Sequence, residues 1–152
     1  KTTQDERSVF DINHEVKVAP IICYESVYGE FITGYVNNGA TILGIITNDA
    51  WWGETQGHKQ HFSYAKLRAV ETRRSVVRSA NTGISGFINP LGEVLSQSVY
   101  NTRISLKAKV PIMTKTTFYV KHGDYIARVA YFFIIFIGIF AVIKYKREGL
   151  KR

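Results

Sequence analysis

The chain has 152 residues, 45% of them hydrophobic, and 20 Lys and Arg against 12 Asp and Glu give a net charge of +8. That is enough chain for one domain with a real core. Its single cysteine excludes an intrachain disulfide and a cysteine-rich metal site. Half of the charge excess sits in the last nine residues, directly after an apolar run and without a nucleic-acid-binding signature, which argues for a membrane surface and against nucleic acid.

The chain opens with Lys1, Thr2, Thr3, Gln4, Asp5, Glu6 and Arg7, without an initiator Met and without the charged and apolar regions of a signal peptide. It reads as a cut through a surface loop, so a longer protein with an upstream part is expected. Val9 to Ile12 suggests a short strand, and Val18 to Ile22 a buried one, in which Pro20 fits best at a sheet edge or an irregular start. Tyr28, Phe31, Ile32, Tyr35 and Val36 then recur at the spacing of one helix face, predicting a helix over 27–38 that stops at Asn38 and Gly39. Cys23 thus lands at a strand-to-helix junction near a helix N-terminus, where free backbone N–H groups favour a thiolate. The bland alternative for a lone cysteine is a small buried hydrophobe.

Thr41 to Thr47 is a nearly continuous apolar run, read as a buried strand parallel to the first because a helix connects them. Residues 48–57 form the loop at its carboxyl end, where sites collect in α/β folds. This loop holds both tryptophans, Trp51 and Trp52, either as a cap on the core or as an aromatic lip for an apolar substrate or the bilayer interface. A helix is predicted from His58 to about Ser75. His58 and His61 share a face there, but no third ligand is spaced to join them, so hydrogen-bonded or solvated histidines are expected and no metal site. Strands follow at 76–81, 84–88, 93–99 and 103–110, with a tight turn at Asn89, Pro90, Leu91 and Gly92. The sum is a mixed sheet of βαβαβββ type.

Ile126 to Ile143 is an eighteen-residue apolar run with one charge, Arg128, in its first turn. At about 1.5 Å per residue it spans roughly 27 Å, close to a bilayer's hydrocarbon thickness. Lys144, Lys146 and Arg147 behind it put the C-terminus in the cytoplasm by the positive-inside rule, and the globular part on the other side.

Taken in order, Ile22-Cys23-Tyr24-Glu25, Asn48-Asp49-Ala50-Trp51-Trp52-Gly53, Gln60-His61-Phe62, Arg68-Ala69-Val70-Glu71, Arg78-Ser79-Ala80-Asn81-Thr82-Gly83-Ile84-Ser85 and Pro90-Leu91-Gly92 resemble the C-terminal part of the apolipoprotein N-acyltransferase family, within the nitrilase superfamily. The resemblance implies an α/β fold: the C-terminal half of a nitrilase-like αββα sandwich over residues 1–122, a transmembrane helix over 125–143 and a basic cytoplasmic tail over 144–152. It implies the bacterial inner membrane, with the globular part in the periplasm. It also implies a reaction without cofactor or metal: an acyl chain leaves a phospholipid, rests on a cysteine as a thioester and passes to the N-terminal diacylglyceryl-cysteine of an apolipoprotein. Cys23 matches the nucleophile, and Tyr24 and Glu25 match the two positions after it that the family needs. Trp51 and Trp52 are candidates for lipid contact, with Phe118 and Tyr119. The family's general-base Glu and its Lys lie upstream of the nucleophile, in a part of the chain not present, and Glu6 and Arg7 stand in no such motif. The chain alone is therefore expected to be inactive. The competing expectations are a membrane-tethered amidase of the same superfamily and a non-catalytic membrane fragment.

Overall fold

The computed structural model describes residues 6–149. The polar opening at residues 1–5 and the end of the basic tail at 150–152 lie outside the described residues. Six strands form one mixed sheet in the order of the sequence: β1 (Phe10–Asp11), β2 (Lys17–Ile22), β3 (Ile42–Thr47), β4 (Ser75–Ala80), β5 (Gly86–Ile88) and β6 (Val94–Gln97). β2, β3 and β4 are parallel, joined through α1 (Gly29–Asn37) and α2 (Gln56–Thr72), and the outer pairs are antiparallel. This is the mixed α/β architecture expected from the alternation of apolar runs and helical faces. Pro20 is tolerated because β1 pairs only with Lys17 and Val18, which leaves Pro20 a ladder partner, Gly44, on the β3 side.

The core follows from the period-two pattern of the strands meeting the helical stripes. Ala19 and Ile21 of β2, Leu43 and Ile45 of β3, Val76 of β4 and Ile88 of β5 pack under Ile32, Tyr35 and Val36 of α1 and Phe62, Ala65 and Ala69 of α2. Ala65 and Ala69 are fully buried and let α2 lie close to the sheet. Ile22 and Ile46 carry the other parity, and both are more than half exposed. α1 ends as its sequence predicts, with Gly39 at φ 94° and its N–H donating to the Val36 carbonyl. α2 stops at Thr72, earlier than expected, because Arg73 turns left-handed at φ 52° and Ser75 already opens β4.

Residues 103–110 depart from the prediction: they form no strand despite their alternation. Buried side chains hold the carbonyls just beyond them, where a ladder would otherwise satisfy the backbone. Ser75 Oγ donates to the Pro111 carbonyl at 2.6 Å, and Arg74 donates to the carbonyls of Thr114 and Lys115. Burial pushes the Arg74 guanidinium down from its ordinary value. A short helix that the sequence did not reveal, α3 (Phe118–His122), is capped by Thr117, whose hydroxyl accepts from the Val120 N–H.

The last helix, α4 (Tyr125–Gly149), is long and apolar enough over Tyr125–Glu148 to cross a membrane, and none of its apolar window is buried against the domain. The helix continues through Lys144, Lys146 and Arg147. Its first turn is fastened to the domain: Arg128 pairs with Glu30 of α1 and donates to the His122 carbonyl.

Candidate active site

The parallel strands β2, β3 and β4 bring their carboxyl ends to one edge of the sheet, and the loops beyond them converge there. Leaving β2, the chain enters Cys23 at φ 51°, a left-handed conformation that costs a non-glycine residue roughly 1–2 kcal/mol. Cys23 is the first residue of a 3-10 turn, Cys23–Val27, while α1 begins only at Gly29. The sequence put the thiol near the N-terminus of a helix over 27–38; the structure fills the interval with a strained turn.

Several groups hold that turn. Glu25 Oε2 accepts from the Ile22 N–H at 2.8 Å. Ser26, fully buried, donates from Oγ to the Cys23 carbonyl at 2.8 Å. Arg68 of α2 donates from Nη1 to the Val27 carbonyl at 3.1 Å and from Nη2 to Glu71 at 3.0 Å. Burial raises the Glu71 carboxyl, the Arg68 charge works against that rise, and Asp124 adds to it.

Behind the turn lies a buried polar network whose members come from four different segments. Asp49, after β3, is fully buried. Its Oδ1 lies 2.8 Å from His61 Nδ1 on α2 and accepts from Thr47 Oγ1 at 2.9 Å, while Oδ2 accepts from Arg78 Nη2 of β4 at 2.9 Å. Burial alone would raise this carboxyl; hydrogen bonds from His61, Arg78 and Thr47 and the Arg78 charge bring it down to about 2. Arg78 Nη2 also lies 3.0 Å from the same Nδ1, so that nitrogen sits between the carboxylate and the guanidinium. Nε2 faces Ser26 Oγ at 3.0 Å and the Cys23 carbonyl at 3.3 Å. Arg78 Nη1 donates to the Ile84 carbonyl at 2.7 Å. Gly83, at φ 138°, passes so near that a Cβ there would sit 2.6 Å from Asp49 Oδ2.

Cys23, His61 and Asp49 have the composition of a hydrolase triad, but not its geometry. Among the hydrogen bonds of the described residues, Cys23 Sγ meets Thr47 Oγ1 at 3.2 Å, and His61 meets the main chain of Cys23. The arrangement offers a half-buried thiol on a fixed turn with a hydroxyl at its sulfur. His58 and His61 are both buried and hydrogen-bonded, His58 Nδ1 lying 3.1 Å from the Gly53 carbonyl. Among the described residues no group of three or more metal-ligating side chains comes together.

The sequence-predicted aromatics divide. Trp51 is 86% exposed, whereas Trp52 lies over the site, its ring 5.1 Å from His61 and 6.5 Å from Tyr24. Tyr24, next to Cys23 in the chain, and Tyr28 are both exposed and meet edge to face at 5.8 Å. Phe118 is exposed and packs on Tyr125 at the start of α4; Tyr119 is turned inward, near Gly29 and Arg68. Ser26, Thr47, Asp49, His61 and Arg78 were not singled out as a site by sequence. Asp49, His61 and Arg78 stood inside motifs that carried the resemblance without being given a role, and Arg78 was also a charge inside an apolar strand, after Val76 and Val77.

Residues 2–112 match the carbon-nitrogen hydrolase family. The apolipoprotein N-acyltransferase of Chlorobaculum tepidum is 37% identical over 114 residues, 75% of this chain and 21% of that protein. That of Wigglesworthia glossinidia brevipalpis is 35% identical over 148 residues, 97% of this chain and 28% of that protein. The chain thus spans between a fifth and about a quarter of the length of these curated relatives. Among solved structures, a carbon-nitrogen hydrolase from Helicobacter pylori has the same fold over 68% of this chain and 43% of its own, with a TM-score of 0.59 at 13% identity. A mutant of an amidase from Nesterenkonia, described with acrylamide added at its active-site cysteine, covers 85% of this chain and 50% of its own, with a TM-score of 0.56 at 15% identity. By the family match over most of its length, which agrees with the motifs read from the sequence, this chain belongs to the carbon-nitrogen hydrolase family.

Proposed function

We propose that the chain is the thiol-bearing part of an N-acyltransferase that moves an acyl chain from a phospholipid to the N-terminal diacylglyceryl-cysteine of apolipoproteins. The observation that carries this reading is the position of Cys23: a half-buried thiol on a left-handed turn that also carries the exposed Tyr24, in a domain joined to an apolar helix. It is supported by relatives named as such enzymes at 32–37% identity, and by the active-site cysteine of the amidase with the same fold.

In the first half-reaction the Cys23 thiolate attacks the ester carbonyl. The C–O bond breaks, the lysophospholipid alkoxide leaves with a proton from a general acid, and a thioester remains. In the second, the unprotonated α-amine of the acceptor attacks the thioester. The C–S bond breaks, the sulfur leaves as thiolate, and the amine gives up a proton as the amide forms. The Tyr24 N–H is our candidate oxyanion donor, and Thr47 Oγ1 lies 3.2 Å from the sulfur. The general base and the lysine belong, on this reading, to the upstream part of the gene product, which makes residues 1–152 inactive alone. Trp51, Tyr24 and Tyr28 face lipid, α4 spans the bacterial inner membrane, the domain is periplasmic and the basic end of α4 is cytoplasmic.

The test is incubation of the full-length gene product with acyl-labelled phospholipid. A hydroxylamine-labile label that disappears in Cys23→Ala is expected, with chase of the label onto a diacylglyceryl peptide. Ammonia release from small amides without any acyl label would replace this reading with the amidase.

A further inference from the structure

The imidazole of His61 has one end in the buried charge network and the other against the nucleophile turn, but not against the sulfur. We propose that His61 is a positioning residue for Cys23, acting through the Cys23 carbonyl, directly and by way of Ser26, to keep the left-handed turn that aims the thiol. This rests on the acyl-transfer reading for its activity arm only.

The geometry argues for it in three steps. A side chain at φ 51° returns to extended backbone unless its surroundings over-determine it. The constraint acts on the carbonyl of Cys23, which has Ser26 Oγ at 2.8 Å and His61 Nε2 at 3.3 Å, and the two constraining atoms lie 3.0 Å from each other. His61 in turn cannot rotate away: Asp49 holds Nδ1 at 2.8 Å, Arg78 locks Asp49 from the next strand, and Trp52 covers the ring. The backbone closes the frame, since the Asp49 N–H donates to the Thr82 carbonyl and the Asn81 N–H to the Thr47 carbonyl, tying the loops after β3 and β4 together. A displaced nucleophile loses rate more than binding, because a shift near 1 Å at the reacting atom costs up to about a hundredfold.

Two amides separate positioning from mere core filling. Asn reaches about as far as Nδ1, so His61→Asn keeps the Asp49 contact and abandons the turn. Gln reaches about as far as Nε2, so His61→Gln does the reverse. In the full-length gene product in phospholipid vesicles, His61→Asn is expected to lower kcat by about tenfold or more with KM for phospholipid within about twofold. His61→Gln should retain several-fold more turnover than His61→Asn. Ser26→Ala, which takes a buried hydroxyl from the Cys23 carbonyl, should lower the melting temperature and should also lower kcat several-fold when assayed well below that temperature, where the protein is fully folded. Wild-type kcat in His61→Asn, a ranking of Asn above Gln, or losses that only follow the melting temperature would overturn the proposal. An arm without turnover uses Cys23→Gly, which relieves the left-handed strain: its effect on melting temperature should be more stabilising with His61 present than in His61→Asn. Should the wild type transfer no acyl chain, the enzyme reading fails, and this coupling alone decides about His61; simple additivity would sink it.

Discussion

Asp49 Oδ2 and Arg78 Nη2 lie 2.9 Å apart with neither side chain exposed, so β4 and the loop after β3 are joined by a fully buried ion pair. Such a pair adds little over a well-packed apolar pair, but removing one member strands the other charge. Asp49→Ala is expected to destabilise the protein by about 3–5 kcal/mol, read as a shift of the denaturation midpoint. Combined with Arg78→Met the loss should be smaller than the sum of the two, because the stranded charge is gone. Additive losses would mean that the two side chains do not sense one another.

The same carboxylate makes a signed prediction in acid. Its folded pKa of about 2 is below the ordinary 3.8, so its ionisation favours the folded state. That contribution, about 2 kcal/mol by linkage, is complete well above pH 3.8 and is lost as pH falls toward 2. Asp49→Asn should therefore flatten the decline in stability between about pH 5 and pH 2. An unchanged decline would assign it to other carboxylates.

Glu25 holds the Ile22 N–H through Oε2 where the turn begins. A carbonyl oxygen can accept the same bond, so Glu25→Gln should stay within about 0.5 kcal/mol of the wild type, and Glu25→Ala should lose about 1 kcal/mol. Acyl transfer should survive the first change and fall with the second. Equal loss in both would show that the charge itself is needed.

The two tryptophans should behave oppositely. A Cβ at Gly57 would meet Trp52 Cγ and Cδ1 at 2.5 Å each, so Gly57→Ala displaces the ring from His61 and should change the protein's tryptophan emission. Trp51→Ala removes an 86% exposed side chain and should change stability by less than about 0.5 kcal/mol, while weakening the domain's adsorption to phospholipid vesicles. Unaltered adsorption would remove Trp51 from the lipid-facing surface.

The parts of the fold that local pattern dictates were legible. The apolar runs ending at Ile22 and Thr47 became parallel strands, and the stripe of Ile32, Tyr35 and Val36 became the buried face of α1. Residues 103–110 misled because alternation reports a surface with two faces, not a strand partner, and here buried side chains beside and within β4 take up the neighbouring carbonyls. Cys23 was found as a thiol at a junction, but its left-handed turn was not, since φ there is imposed by Ser26, Glu25 and His61. The Asp49 network stayed hidden for a similar reason. His61 looked like one of two histidines on a helix face, and its partners lie 12 and 17 residues away on other elements.

Arg128 reaches Glu30 across Gly123, whose left-handed φ of 64° and missing Cβ leave room for the pair. α1, which carries Glu30, follows directly on the Cys23 turn. A side-chain joint thus ties the first turn of the apolar helix to the element that follows the thiol's turn. One residue inserted just after Arg128 would turn everything beyond it by about 100°, presenting a different side of the helix to its surroundings while leaving the domain untouched.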